Sequence, residues 1–313
     1  MLVSTIIPAF NAELTIAQAI ESALAQRYNS HEIVVVNDGS TDATAEILER
    51  YRGRLRIVNQ ENRGAAAARN AGIAYSNGEY VAFLDSDDLF LPEKLAVMTA
   101  ALGRHSTASL AFSEYGFMDE SGTEYRESAI GSGSSMAALM RQRPFPIASL
   151  SAFIYPSTWL VPRKVLARAG GFNEAFKGAG YEDSWLLLLL RELGDFVHVP
   201  EKLTLYRTAD ASEAADKYDP GLSVFIDMVR KRYGKQGRDL IRSVKNTRCR
   251  ALLSKIAHQM DRGDRAGAIH SLLRIAKFRP AYFFSSEFLT RLRLSQNRQR
   301  VRGLVLVPTR ARE

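Results

Sequence analysis

The 313 residues are 46% hydrophobic and 24% charged, which excludes a disordered chain and suits a large α/β domain with a further module. Cys249 is the single cysteine, which excludes an internal disulfide framework and a cysteine-built zinc site and suits a reducing compartment. The net charge of +8 is unevenly spread: from Arg230 onward 22 Lys and Arg face 5 Asp and Glu, or +17, and the residues before it carry −9. An acidic front and a basic back predict two modules with different partners, divided here into residues 1–212 and 213–313. No run of about 18 uncharged apolar residues predicts a membrane span. The chain enters a strand-like run at Leu2 with no basic segment or cleavage site before it, so no secretory signal is expected and a cytoplasmic location is.

The front half alternates strand and helix signals. Val3 to Pro8 reads as a strand, and Ile16, Ala19, Ile20, Ala23 and Leu24 recur at helical spacing between Thr15 and Gln26. The unbroken apolar run Ile33-Val34-Val35-Val36 is that of a parallel strand covered on both faces. Ser40, Thr41 and Asp42 are candidate caps for a helix through Leu48. A strand over 55–59, an Ala-rich helix over 64–74, a strand over 79–84 and a helix opened by Pro92 follow. Such alternation predicts a mainly parallel, Rossmann-like sheet with helices on both faces, its ligands at the carboxyl ends of the strands. Leu110 to Phe112 and Trp159 to Val161 read as further strands, and Gly116 to Pro146 as a surface excursion or a loop over the site. Glu182 to Leu193 reads as a helix, and 197–199 and 203–206 as two short strands. Beyond Ala214 the pattern is helical, with breaks near Gly234, Gly237, Gly263 and Pro280.

Three polar clusters fall at strand ends: Pro8-Ala9-Phe10-Asn11, Asn37-Asp38-Gly39-Ser40 and Asp85-Ser86-Asp87-Asp88. The last is the most informative. Carboxylates crowded at the end of a buried strand repel each other and lose hydration, and a hard divalent cation such as Mg²⁺ or Mn²⁺ relieves both. A solvated turn capping the next helix would use the same residues. Asp38 could accept from a base or ribose, or make an Asx turn. Gly64 and Arg69 open a helix whose N-terminus and guanidinium favour a phosphate, while the alanines between them suit close packing. Glu182 and Asp183 stand in a first helical turn, where the helix dipole favours negative charge and where a general base could also sit.

The order of these pieces resembles the inverting family-2 glycosyltransferases, whose nucleotide-sugar domain has the GT-A fold. The matching residues are Ile6 to Asn11, Val35 to Asp42, Asn62-Arg63-Gly64 with Ala68-Arg69-Asn70, Gly78 through Asp88, Gly170-Gly171-Phe172-Asn173-Glu174, and Glu182-Asp183. No one of these motifs is distinctive; six in this order, over about residues 1–207, are. The resemblance implies that Pro8, Ala9, Phe10, Asn11 and Asp38 hold the nucleoside, with Asp38 reading the base, and that Gly64 and Arg69 lie near base or phosphates. It makes Asp85, Ser86 and Asp87 the DxD element that binds ribose and a metal diphosphate, with Asp87 as direct ligand and Asp85 beside it, and Asp183 the catalytic base next to Glu182. Asp88 is expected to cap or orient the next turn. The implied partners are a nucleotide-sugar donor, UDP by family habit, a Mn²⁺ or Mg²⁺ ion, and a glycan or lipid-linked acceptor in surface polysaccharide or glycolipid synthesis. With an ordinary pKa of about 3.9, Asp183 is expected to be ionised at neutral pH without tuning. Many relatives carry a His shortly after a Tyr-Arg pair; here Tyr206-Arg207 is followed by Thr208-Ala209-Asp210, with no His.

A nucleotidyltransferase would want a Gly/Arg/Lys-rich loop after the first strand, which Pro8 to Asn11 is not, and a non-catalytic nucleotide-sugar binder would not need Asp183. The basic back module interleaves Arg291, Arg293, Arg298, Arg300 and Arg302 with apolar residues. It is read as a surface for an anionic membrane on the inner face, or as a homo-oligomerisation or packing appendage; no nucleic-acid module is visible.

Overall fold

β1 (Val3–Ala9) is buried along its whole length, and β2 (His31–Asp38) from Ile33 onward, as their unbroken apolar runs require. Around them the computed structural model, which describes residues 1–127, 154–177, 179–208, 219–285 and 288, builds a twisted sheet with helices on both faces. The other strands are β3 (Arg56–Gln60), β4 (Tyr80–Phe83), β5 (Leu89–Phe90), β6 (Ala108–Met118), β7 (Glu124–Glu127), β8 (Trp159–Pro162) and β9 (Asp195–Arg207). The sheet order is β3-β2-β1-β4-β8-β6-β9-β5, with β7 on the side of β6. β1, β2, β3, β4, β6 and β9 run in one direction, and β5, β7 and β8 run against them. The mainly parallel expectation therefore holds, and β8 is the strand that reverses between β4 and β6.

The chain steps from β1 to β2 on one side and returns to place β4 on the other. Strand order thus reverses beside β1, which creates a crevice at the carboxyl ends of β1 and β4. Pro8 is compatible with a central strand because β4 pairs β1 only as far as Ile6↔Phe83, so a donor missing at Pro8 breaks no ladder on that side. The helices are α1 (Ile16–Leu24), α2 (Thr44–Glu49), α3 (Ala65–Ala74), α4 (Lys94–Gly103), α5 (Arg163–Ala169), α6 (Glu182–Leu193), α7 (Asp219–Tyr233), α8 (Arg238–Asp261) and α9 (Arg265–Phe278). One core, including Ile7, Ile20, Val35, Leu95, Met98 and Leu160, packs against one sheet face. A second, with Phe83, Phe112, Trp159, Phe172, Leu186 and Leu190, packs against the other.

Several boundaries differ from expectation for local reasons. α2 begins at Thr44 rather than at the Ser40–Asp42 cluster, because Asp42 accepts from the Thr44 amide at 3.0 Å and Glu13 from the Ala43 amide at 2.9 Å. The two short strands expected over 197–206 are a single strand, β9, whose register shifts against β6 near Glu114 absorb the irregular pattern between them. Of the Gly116–Pro146 excursion, Gly116 to Met118 end β6 and Glu124–Glu127 forms β7 beside it, while 128–146 lies outside the described residues.

Among the described residues two compact units separate, one of 1–208 with 219–232 and one from Tyr233 onward. The division expected after residue 212 falls before α7, and α7 packs with the first unit: Phe225 lies against Tyr181 and Trp185. In the second unit α8 and α9 pack around Cys249, Leu252, Ile275, Tyr282 and Phe288. Its breaks fall at Gly234–Gly237, Gly263 and Pro280, where the helical pattern was interrupted. Arg291 to Arg302 lie outside the described residues. No described helix is long and apolar enough to cross a membrane.

Candidate active site

The turn after β4 sends its carboxylates in different directions. Asp88 is fully buried: its Oδ1 accepts from the Arg207 amide at 3.0 Å and its Oδ2 from the Ser157 hydroxyl. Burial, then Asp87 and Asp85, raise its pKa well above the ordinary carboxylate range. Asp85 is half-buried, its amide donating to Ser157 Oγ at 3.0 Å and its Oδ1 2.6 Å from Arg69 Nη2. Asp87 keeps an exposed surface, yet crowding by protein and then by Asp85 push its carboxyl up to about 6. No other described residue donates a hydrogen bond to that carboxylate; the Asp87 carbonyl is held instead, accepting from Arg207 Nε at 2.8 Å.

These residues fit a hard cation. A carboxylate with no neighbouring donor, destabilised as an anion by a second carboxylate, is the environment a divalent ion relieves. Among the described residues no three His, Cys, Asp or Glu converge to enclose a metal. Asp210, the residue standing where a His was sought, lies outside the described residues.

Arg69 occupies the centre of the site. On α3, with its side chain 6% exposed, it reaches Asp85 at 2.6 Å and Glu182 Oε1 at 3.5 Å and lies over the Phe172 ring. Burial disfavours its charge, but Asp85 and Glu182 outweigh burial and raise its pKa. Among the described residues, its Nε and Glu182 Oε2 are buried with no hydrogen-bond partner. Arg69, expected near the base or phosphates, ties the carboxylate turn to the start of α6.

α6 carries Asp183 in its first turn, after Tyr181 in a left-handed conformation (φ 72°). A non-glycine residue there stores strain of about 1–3 kcal/mol, and such strain collects at functional sites. Burial, then Glu182, push the Asp183 carboxyl up to about 7, against the Ser184 amide and Arg69. The expectation of an untuned aspartate is therefore replaced by a carboxyl poised near neutrality, where a general base is most effective.

The upstream residues shape the crevice. Asp38 is buried and accepts three hydrogen bonds, from the amides of Arg63 (2.9 Å) and Gly64 (2.8 Å) and from Gln60 Nε2 (2.7 Å). It therefore anchors the entrance to α3, where Gly64 adopts φ 88°, and has little capacity left for a base. Asn11 clamps two loops, accepting from the Thr41 amide at 2.8 Å and donating its own amide to Ser40 Oγ at 3.0 Å. Pro8 and Ala9 are buried at the end of β1, Ser86 is half-buried, and Phe10 presents an exposed ring. Gly170 to Glu174 is a clamp on α3: Asn70 Nδ2 donates to the Phe172 carbonyl at 2.8 Å and to Glu174 at 3.0 Å, and its Oδ1 accepts from the Phe172 amide at 2.9 Å.

A family model described as "Glycosyl transferase family 2" matches residues 4–170, more than half of the chain. The chain belongs to glycosyl transferase family 2. Within the family it is similar to an uncharacterized glycosyltransferase of Rickettsia felis, 33% identical over 191 residues, covering 60% of this chain and 31% of that protein. Glycosyltransferase GlyG of Streptococcus pneumoniae is 28% identical over 231 residues, covering 70% of this chain and 74% of its own. The chain thus spans about a third of the length of the Rickettsia felis relative. Among solved structures, S. aureus TarS 1–349 superposes with a TM-score of 0.58 at 18% identity, covering 90% of this chain and 91% of that one. A complex of the same TarS fragment with UDP superposes at 0.54 and 19% identity, covering 90% and 91%. These structural likenesses concern the family-2 fold alone.

Sequence reasoning missed Ser157, Lys94, Thr204 and Gln60, and used Arg207 only as a landmark. Ser157 and Thr204 carry no motif, and Lys94 sits in a pattern that reads as an exposed helix start, where lysine is ordinarily found. Only the burial of Lys94 marks it.

Proposed function

We propose that this protein transfers a sugar from a nucleoside-diphosphate donor, a UDP-sugar, to a hydroxyl of a glycan or lipid-linked acceptor with inversion. The observation that carries the reading is the arrangement of Asp183, tuned up to about 7, joined through Glu182 and Arg69 to the Asp85 turn. Asp183 takes the proton of the acceptor hydroxyl as its oxygen bonds the anomeric carbon. The bond from that carbon to the diphosphate breaks, and the diphosphate leaves with the electron pair. Base and leaving group on opposite faces of the sugar invert its configuration. Asp87, with Asp85 beside it, would hold a Mg²⁺ or Mn²⁺ ion, which supplies Lewis-acid stabilisation of the departing diphosphate. Phe10 offers an aromatic face to the base, Pro8, Ala9 and Asn11 form the wall behind it, and Asp38 reads the base only through what its hydrogen bonds to Arg63 and Gly64 leave free. Gly64 brings the α3 backbone close to the donor and Ser86 contributes at the ribose. The UDP complex of TarS supports uridine as the nucleoside.

For the second unit we propose an anionic membrane surface at the inner face of the plasma membrane. Ile269, Leu273 and Phe284 are exposed large apolar residues in a segment that also carries Arg265, Lys277 and Arg279. Sedimentation with anionic and neutral liposomes tests this, and light scattering reads the homo-oligomer expectation.

The donor reading is tested by screening nucleotide-sugars for transfer and hydrolysis with and without Mn²⁺, and by determining the product anomer by NMR. Retention of configuration, or no turnover with any donor, would overturn it.

A further inference from the structure

Beneath the carboxylate turn lies a cation that the reaction scheme does not use. Lys94, the first residue of α4, is 0% exposed. Its Nζ donates to Thr204 Oγ1 at 3.0 Å and Ser113 Oγ at 3.4 Å and lies 4.7 Å from the centre of the Phe90 ring. A buried ammonium is strongly unfavourable without compensation, and here hydroxyls surround it where a paired carboxylate would be expected.

The hydrogen-bond directions are dictated by the groups. An ammonium only donates, so the Thr204 hydroxyl accepts from Lys94, and its one proton goes to the Ser157 carbonyl at 3.0 Å. Ser157 is then the hub. Its hydroxyl donates to Asp88 and accepts from the Asp85 amide at 3.0 Å. A continuous relay therefore runs from Lys94 through Thr204 and Ser157 to both ends of the turn. Burial pushes the Lys94 ammonium down to about 7, with Asp88 opposing it, and burial raises Asp88 in turn, so the link rests on its hydrogen-bond geometry.

We propose that Lys94 is a positioning residue for the donor site. Through Thr204 and Ser157 it holds the Asp85 peptide, so that Asp85 and Asp87 stay turned outward toward the donor diphosphate and its cation. The inference rests on the donor reading above. Asp88 thereby acts as the buried anchor of the turn rather than as a surface cap or a ligand.

The test measures binding to the full chain by calorimetry, using Mn²⁺ with whichever of UDP, GDP and dTDP binds the wild type best. Lys94→Met keeps the side-chain length and removes the donor to Thr204 and Ser113, and is expected to weaken binding at least tenfold and to raise the donor KM more than it lowers kcat. Thr204→Val, which breaks the relay without touching a charge, should weaken binding at least threefold and serves if Lys94→Met does not fold. Folded Lys94→Met or Thr204→Val protein that binds as the wild type does overturns the inference. Failure of the wild type to bind any of the three nucleotides overturns the donor reading and this one with it. Wild-type binding with unaffected variants overturns this one alone.

Discussion

Arg69 Nη2 stands 2.6 Å from Asp85 Oδ1, and the same guanidinium reaches Glu182, the neighbour of Asp183 in sequence. One buried cation thus ties the turn proposed to bind the donor to the helix proposed to carry the base. Arg69→Met should destabilise the fold by about 3 kcal/mol, because it leaves two carboxylates facing an apolar side chain. Urea denaturation and kcat/KM, measured together, check this. Full stability with lost activity would assign Arg69 to substrate contact instead.

Asp183→Asn is expected to lower transfer by about a thousandfold with the donor KM nearly unchanged. It should also stabilise the protein at pH 8. A carboxyl whose folded pKa is raised to about 7 contributes stability that is present below its unfolded pKa and is lost as pH rises toward 7. Removing it should therefore raise Tm at pH 8 by roughly 2–4 °C, for a gain of about 1 kcal/mol, and change little at pH 4. Thermal scans of both proteins at the two pH values decide it.

For the wild type, kcat/KM should rise with pH through an apparent pKa of about 7, as Asp183 becomes the free base. A separate loss of Mn²⁺ binding is expected below about pH 6, where Asp87 takes a proton. Calorimetric Mn²⁺ titrations across pH separate this step from the kinetic one. A flat kcat/KM profile between pH 5.5 and 8.5 would exclude a base tuned near neutrality.

Asn70→Ala removes three hydrogen bonds that fasten the Gly170–Glu174 segment to α3. At about 1 kcal/mol each, less what water restores, a loss of about 2 kcal/mol is expected. Chemical denaturation measures it, and activity per folded molecule should fall far less than in Arg69→Met.

The parallel strands β1, β2 and β4 and the helices between them were legible because both signals are local. An apolar run such as Ile33 to Val36 reports burial on two faces, and helical spacing reports one. The break points at Gly234, Gly263 and Pro280 were legible for the same reason. The antiparallel β7 and the joining of two short segments into β9 were not, since both depend on pairing with β6, which lies distant in sequence.

By itself the sequence determined that acidic residues stand at strand ends and that Asp183 begins a helix, since alternation and capping are written in neighbouring residues. Tertiary structure alone decided what each carboxylate does. Asp38, Asp85, Asp87, Asp88 and Asp183 have the same side chain and differ in their surroundings. Asp38 accepts from Arg63, Gly64 and Gln60, and Asp85 is paired with Arg69. Asp88 is buried on Ser157 and Arg207, while Asp87 accepts from no other described residue and Asp183 is raised toward neutrality. Every hydrogen-bonding partner of Asp38, Asp85 and Asp88 named here lies on a separate element from the carboxylate it controls. Proton affinity depends on burial and on charges within a few ångströms, and no sequence interval encodes those distances.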